Sequence, residues 1–171
     1  PFGIYECPYP YKRLVSPELL RWFADTGRFM FLKDTCCNLE QIEQKLLAVA
    51  GTPLKIYNAN SATLLESLRL GAAGFSGVMA NFHPDLYVWL IKHWQDEPEL
   101  AEELQRFLGI ASLIELQHYP INAKYSLRQE GLSIHTLCRT KEHDLLGSAD
   151  RLVARQLQAF TQSMRNKIIK A

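Results

Sequence analysis

Lys33 closes an almost wholly apolar run, Phe29-Met30-Phe31-Leu32-Lys33, and is followed at once by the polar pair Asp34-Thr35. An ammonium at the end of a buried strand either pairs with a carboxylate or gives up its charge and reacts as a free amine. The second outcome makes Lys33 a candidate Schiff-base lysine. Tyr5 lies 28 residues upstream and ends a shorter apolar piece, Gly3-Ile4-Tyr5. Taken alone it reads as a core aromatic with its hydroxyl at a rim. Any chemical role for it depends on Lys33.

Other reactive side chains form no recognisable constellation. Cys36 and Cys37 follow the lysine directly, as either a redox pair or two small residues packed in a loop. With Cys7 and Cys138 they show neither CxxC spacing nor the density of a disulfide scaffold, so reduced thiols are expected. His83, His93, His118, His135 and His143 are scattered without HxxxH or carboxylate spacing. No metal and no cofactor is assigned.

The elements that must position these groups alternate between strand and helix. Gly3 to Tyr5 is a short strand, and Ser16-Pro17-Glu18 supplies an N-cap and a first-turn proline for a helix to about Asp25. Phe29 to Lys33 is the next strand. Asn38 with Gln41 resembles a capping box, and Leu39, Ile42, Leu46 and Leu47 repeat at helical spacing until Gly51. Leu54 to Asn58 is a third strand, after which Ser61 caps a helix through Leu64, Leu65 and Leu68 that Gly71 ends. Gly74 to Val78 is a fourth, and His83-Pro84-Asp85 opens a helix carrying Leu86, Trp89, Leu90 and His93. Beyond Glu99 the pattern is only helical: a helix through Leu100, Leu104, Phe107, Leu108 and Ala111, another from Pro120 to Gly131, and a third from Asp150 to Lys170. Trp22, Trp89 and Trp94 fall in helical patterns and are expected to pack against strands or another subunit.

Successive strand ends are too close for anything but one helix and tight loops, so the strands should be parallel with right-handed crossovers. Four such units make either a small open α/β sheet or half of an eight-stranded barrel. Pro1 is not an initiator methionine and the first strand begins almost at once, which favours a cut chain. In half a barrel, reactive groups should gather at the C-terminal strand ends. Tyr5, Lys33, Asn58 and Ser76 all lie near such ends.

Bulk properties narrow the function classes. The 171 residues suffice for one domain with a substantial core, and 47% hydrophobic with 22% charged residues is a globular composition. Nineteen basic against eighteen acidic residues leave a formal charge of +1, with no electrostatic footprint for nucleic acid or an anionic membrane. No apolar stretch reaches the roughly 18 residues of a membrane span, and a cytoplasmic location is the default.

The order and spacing of several motifs together resemble one family. Gly3-Ile4-Tyr5-Glu6-Cys7-Pro8 resembles the tyrosine-containing strand five of the dihydrodipicolinate synthase and N-acetylneuraminate lyase family, and Phe31-Leu32-Lys33-Asp34-Thr35 its Schiff-base strand six. Leu70-Gly71-Ala72-Ala73-Gly74-Phe75-Ser76-Gly77-Val78 with Ala80-Asn81 is similar to strand eight, and Tyr119-Pro120-Ile121-Asn122-Ala123-Lys124 to the C-terminal helical segment. The resemblance implies a class I aldolase on a (β/α)8 TIM barrel, an α/β fold. This chain would supply strands five to eight in residues 1–97 and a helical appendage in 98–171. It also implies that Lys33 forms an imine with pyruvate or another 2-oxo acid and that Tyr5 relays protons. Thr35 would hydrogen-bond the substrate, unless it only caps the loop, and Ser76 would line the site. A homo-oligomer, a tetramer by resemblance, is expected.

Two departures bear on the substrate. Where dihydrodipicolinate synthases carry an arginine five residues past the strand-five tyrosine, this chain has Pro10, with Lys12 and Arg13 out of register. Ala59-Asn60-Ser61 replaces their Gly-Asp-Asp. Another branch of the family, such as a sugar-acid aldolase or dehydratase, is favoured. The alternatives are a member that binds a 2-oxo acid or acts as a scaffold without aldolase chemistry, and an inactive half-barrel.

Overall fold

All four expected strands form, and they pair in sequence order. The computed structural model describes residues 1–141 and 145–170, so His143 lies outside the described residues. Strands β1 (Phe2–Tyr5), β2 (Phe29–Asp34), β3 (Lys55–Asn58) and β4 (Gly74–Phe75) make one parallel sheet in the order β1-β2-β3-β4. Helices α1 (Pro17–Asp25), α2 (Leu39–Ala48) and α3 (Leu64–Arg69) are the crossovers. The sequence signals for two helix starts act as expected: the Ser16 hydroxyl oxygen accepts from the Leu19 N–H, and the Asn38 side-chain oxygen Oδ1 accepts from the Gln41 N–H at 2.8 Å.

The two-residue period of the strands sorts their side chains between two faces. Ile4, Leu32 and Ile56 point toward the helices and pack with Leu20, Ala24, Val49 and Leu54. Full burial of side chains such as Leu32 and Ile56 contributes roughly 1.5–3 kcal/mol each. Tyr5 and Phe31 lie on the other face and are 50% and 43% exposed. Gly3 is needed there because a Cβ would meet the Phe31 ring at 2.2 Å.

Three local expectations are corrected. The helix expected to be capped by Ser61 starts at Leu64 after Thr63, because side chains hold the intervening residues in a turn. The Asn58 amide donates to Thr63 Oγ1 and Ser67 Oγ, both at 3.0 Å, while Asn60 Oδ1 accepts from the Thr63 N–H at 3.1 Å. The strand expected over Gly74–Val78 stops at Phe75, and Val78–Asn81 winds into a 3-10 turn. Gly77 lies against the β3 loop, where a Cβ would sit 2.4 Å from the Ala59 carbonyl oxygen. On α2, Leu47 is not part of the buried stripe: it is 71% exposed, whereas Lys45 is 2% exposed. From Ile42, a step of three residues stays on one helical face and a step of five leaves it.

The chain divides into two compact units, Pro1–Gly77 and Val78–Ala171. The first contains the sheet. The second is helical, with α4 (Pro84–His93), α5 (Pro98–Ala111), α6 (Ile121–Gln129) and α7 (Ser148–Lys170). Leu86, Leu90, Leu104 and Leu108 are in its core. The Arg165 guanidinium donates two hydrogen bonds to Asp85, at 2.7 and 3.0 Å, tying α7 to α4. Burial acts to raise the Asp85 pKa, but Arg165 more than offsets this and holds it below the ordinary value. His83 stacks on Tyr87, and burial pushes its pKa down to about 4, leaving it neutral. Trp22 of α1 is 61% exposed. Among the described residues no helix is long and apolar enough to cross a membrane.

Candidate active site

Parallel pairing of β1 with β2 sets Tyr5 directly opposite Lys33, and pairing of β2 with β3 sets Lys33 opposite Tyr57. These residues stand at the C-terminal strand ends on the face away from the helices. The Lys33 Nζ lies over the Tyr5 ring, 4.5 Å from its centroid. Among the described residues no carboxylate forms an ion pair with it. Of the two outcomes open to a strand-end lysine, the carboxylate partner is not found at Lys33 among the described residues. An aromatic face takes its place, an attraction worth about 0.5–1 kcal/mol at an exposed site.

The carboxylates at these strand ends serve a different lysine. Glu6 follows Tyr5 and Asp34 follows Lys33, so alternation turns both to the helix side of the sheet. Lys45 of α2 meets them there, its Nζ 2.6 Å from Glu6 Oε1 and 2.5 Å from Asp34 Oδ2. All three side chains are buried. Burial alone would lower the Lys45 pKa, but hydrogen bonds to Asp34 and Glu6 reverse this and hold it above its ordinary value. The ammonium is retained because removing its charge would leave two buried carboxylates facing each other.

This cluster also organises the loop after Lys33. Glu6 Oε2 accepts from the Thr35 N–H at 2.9 Å, and Glu6 Oε1 accepts from the Val15 N–H at 2.8 Å. The Thr35 hydroxyl donates to the Glu6 backbone carbonyl at 2.6 Å, so its proton is committed to the loop and only its lone pairs remain for another donor. Asp34 Oδ1 accepts from the Cys36 N–H at 3.0 Å. Burial, and then the hydrogen bond to Asp34, push the Cys36 thiol up to about 12. The thiolate needed for nucleophilic or redox chemistry is therefore disfavoured at Cys36.

Ser76 sits just past β4. Its N–H donates to the Asn58 carbonyl at 2.9 Å, and with Phe31, Tyr57 and Phe75 it lines a cavity of about 310 Å³. Asn58, another strand-end residue, is buried and points into the α3 turn, where its amide is satisfied. Tyr5 and Lys33 are thus brought together. Thr35 is tied beneath them to Glu6, and Ser76 belongs to the aromatic cavity. Sequence reasoning assigns no role to Glu6 or Lys45 and no ion pair to Asp34. Its one available signal is a lysine three residues after Ile42, on the apolar stripe of a helix.

Comparisons with known proteins identify relatives of the chain and structures that share its fold. The chain is 24% identical over 163 residues to 4-hydroxy-tetrahydrodipicolinate synthase of Clostridium perfringens strain 13, covering 92% of this chain and 56% of that one. It is 27% identical over 142 residues to the enzyme of the same name from Porphyromonas gingivalis, covering 82% and 48%. The chain therefore spans about half the length of the curated relatives it matches. Dihydrodipicolinate synthase from Cyanidioschyzon merolae with lysine bound superimposes with a TM-score of 0.81 at 23% identity, over 95% of this chain and 55% of that one. YagE from E. coli K12, solved in complex with pyruvate, does so with a TM-score of 0.75 at 20% identity, over 95% and 55%. These likenesses show the fold, which is that of the TIM-barrel dihydrodipicolinate synthases. The model of the dihydrodipicolinate synthetase family matches residues 1–159, and with nearly the whole sequence inside that match the chain belongs to this family.

Proposed function

We propose that Lys33 is the Schiff-base lysine of a lyase acting on pyruvate or another 2-oxo acid, with Tyr5 as its proton relay. The observation that carries this reading is the amine over the Tyr5 ring, 4.5 Å from its centroid and free of a carboxylate among the described residues, in a chain of this family. The neutral amine attacks the ketone carbon as the carbonyl π bond opens, and Tyr5 relays the proton lost by nitrogen to the carbonyl oxygen, giving a carbinolamine. Tyr5 donates a proton to the leaving hydroxyl, which departs as water and leaves the imine. The positive imine nitrogen then accepts the electron pair when a carbon–carbon bond forms or breaks at the neighbouring carbon. Thr35 and Ser76 contribute to substrate binding, Thr35 through its lone pairs and Ser76 from the aromatic cavity.

The chain serves in this reading as strands five to eight of a (β/α)8 barrel, over residues 1–97, with residues 98–171 as the helical appendage. The activity belongs to a cytoplasmic homo-oligomer in which the other strands complete the barrel. Pro10, in place of the carboxylate-gripping arginine, directs it to an acceptor other than that of a dihydrodipicolinate synthase. Pro10 also favours a second reading, a 2-oxo acid-binding protein without aldolase chemistry. Pyruvate binding followed by borohydride reduction separates the two. The lyase reading expects an irreversible adduct in the full-length protein and none in Lys33→Ala; binding without an adduct in the unaltered protein would contradict it and leave the second reading.

A further inference from the structure

The Glu6–Lys45–Asp34 cluster joins the two residues that immediately follow Tyr5 and Lys33. Strand ends are where ladder hydrogen bonds run out, so the separation of two such side chains depends on whatever ties the ends together. Past the ladder, the Glu6 N–H donates to the Lys33 carbonyl at 3.3 Å, and the Thr35 hydroxyl donates to the Glu6 carbonyl at 2.6 Å. A further tie is the buried ammonium, 2.6 Å from Glu6 and 2.5 Å from Asp34. Glu6 additionally holds the backbone N–H groups of Thr35 and Val15, and Asp34 holds that of Cys36. One side chain on α2 thus sets β1, β2 and the loops after both strands.

We propose that Lys45 is a positioning residue for the chemistry of Lys33, acting through Glu6 and Asp34 to hold the amine against Tyr5. This deepens the Schiff-base reading and rests on it. Lys45 touches no substrate, because its ammonium is enclosed on the helix side of the sheet between the two carboxylates. Its effect is geometric: a shift of about 1 Å between reacting groups costs on the order of 100-fold in rate. A purely structural cluster would be replaceable by neutral groups of similar volume without loss of rate.

The test compares the full-length protein, Lys45→Met and the triple variant Glu6→Gln/Asp34→Asn/Lys45→Met. The triple variant removes the charges together and so avoids leaving carboxylates buried without a counterion. The measurements are the urea midpoint, the borohydride-trapping rate at saturating pyruvate and the pyruvate concentration giving half that rate. The inference expects the triple variant to remain cooperatively folded, to trap about 10- to 100-fold more slowly and to half-saturate at an unchanged concentration. Trapping by the triple variant within about twofold of the unaltered protein would overturn it. If the unaltered protein itself forms no adduct, the Schiff-base reading fails and the inference falls with it. Normal trapping by both proteins removes the inference alone.

Discussion

Tyr5 and Glu6, and again Lys33 and Asp34, are chain neighbours that face opposite sides of one sheet and meet opposite surroundings. On the open side an amine lies over an aromatic ring without a carboxylate partner among the described residues. On the helix side an amine is enclosed by two carboxylates and buried with them. The same functional group lies against an aromatic ring in one place and is locked as an ammonium between two carboxylates in the other. Strand alternation makes the separation possible, because a step of one residue reverses the direction of the side chain.

The largest effect expected from breaking this contrast is on stability. Lys45→Met should cost about 3–5 kcal/mol in urea unfolding, because two carboxylates lose their counterion inside the protein. Lys33→Met should change it by only about 0.5 kcal/mol, as expected for a group outside the buried network. Equal losses for the two substitutions would erase the distinction between the lysines.

A chemical effect comes next. Tyr5→Phe keeps the ring under the Lys33 amine and removes the hydroxyl, so borohydride trapping with pyruvate should slow by about 100-fold with little change in the urea midpoint. An unchanged trapping rate would reduce Tyr5 to an aromatic support.

The network around Lys45 should also respond to alkali. Lys45 has its folded-state pKa raised above 10.5, so its contribution is fully present below that value and is lost as pH rises through the raised one. The Cys36 thiol, raised from 9.0 to about 12, acts in the same direction, and stability should fall between those pH values. Cys36→Ala should flatten that fall, read as the urea midpoint against pH. A smaller contrast follows from exposure: at pH 8 iodoacetamide should modify exposed Cys37 and spare Cys36, as peptide mass mapping would show.

The sequence revealed different parts of this picture to different degrees. Elements set by local chemistry are legible, since Ser16-Pro17 and Asn38 begin their helices with their own side chains and the apolar strand runs pair in order. The start of α3 is not, because Asn58 and Asn60 compete for the turn that Ser61 was expected to open. The Tyr5–Lys33 pair is legible through the resemblance of its two strands to those of one family. Lys45 is obscured because its partners lie 39 and 11 residues away, and a helical pattern treats a lysine on an apolar stripe as an interruption. Only the fold shows that two strand-end carboxylates converge on it.

The central claim is that the reactive amine is the one on the open face. It is tested most directly by incubating the full-length protein with pyruvate, reducing with borohydride, and mapping the mass increase to a peptide. The account predicts the reduced pyruvyl group on Lys33 and an unmodified Lys45. An adduct on Lys45 or another lysine, or none at all, would contradict it.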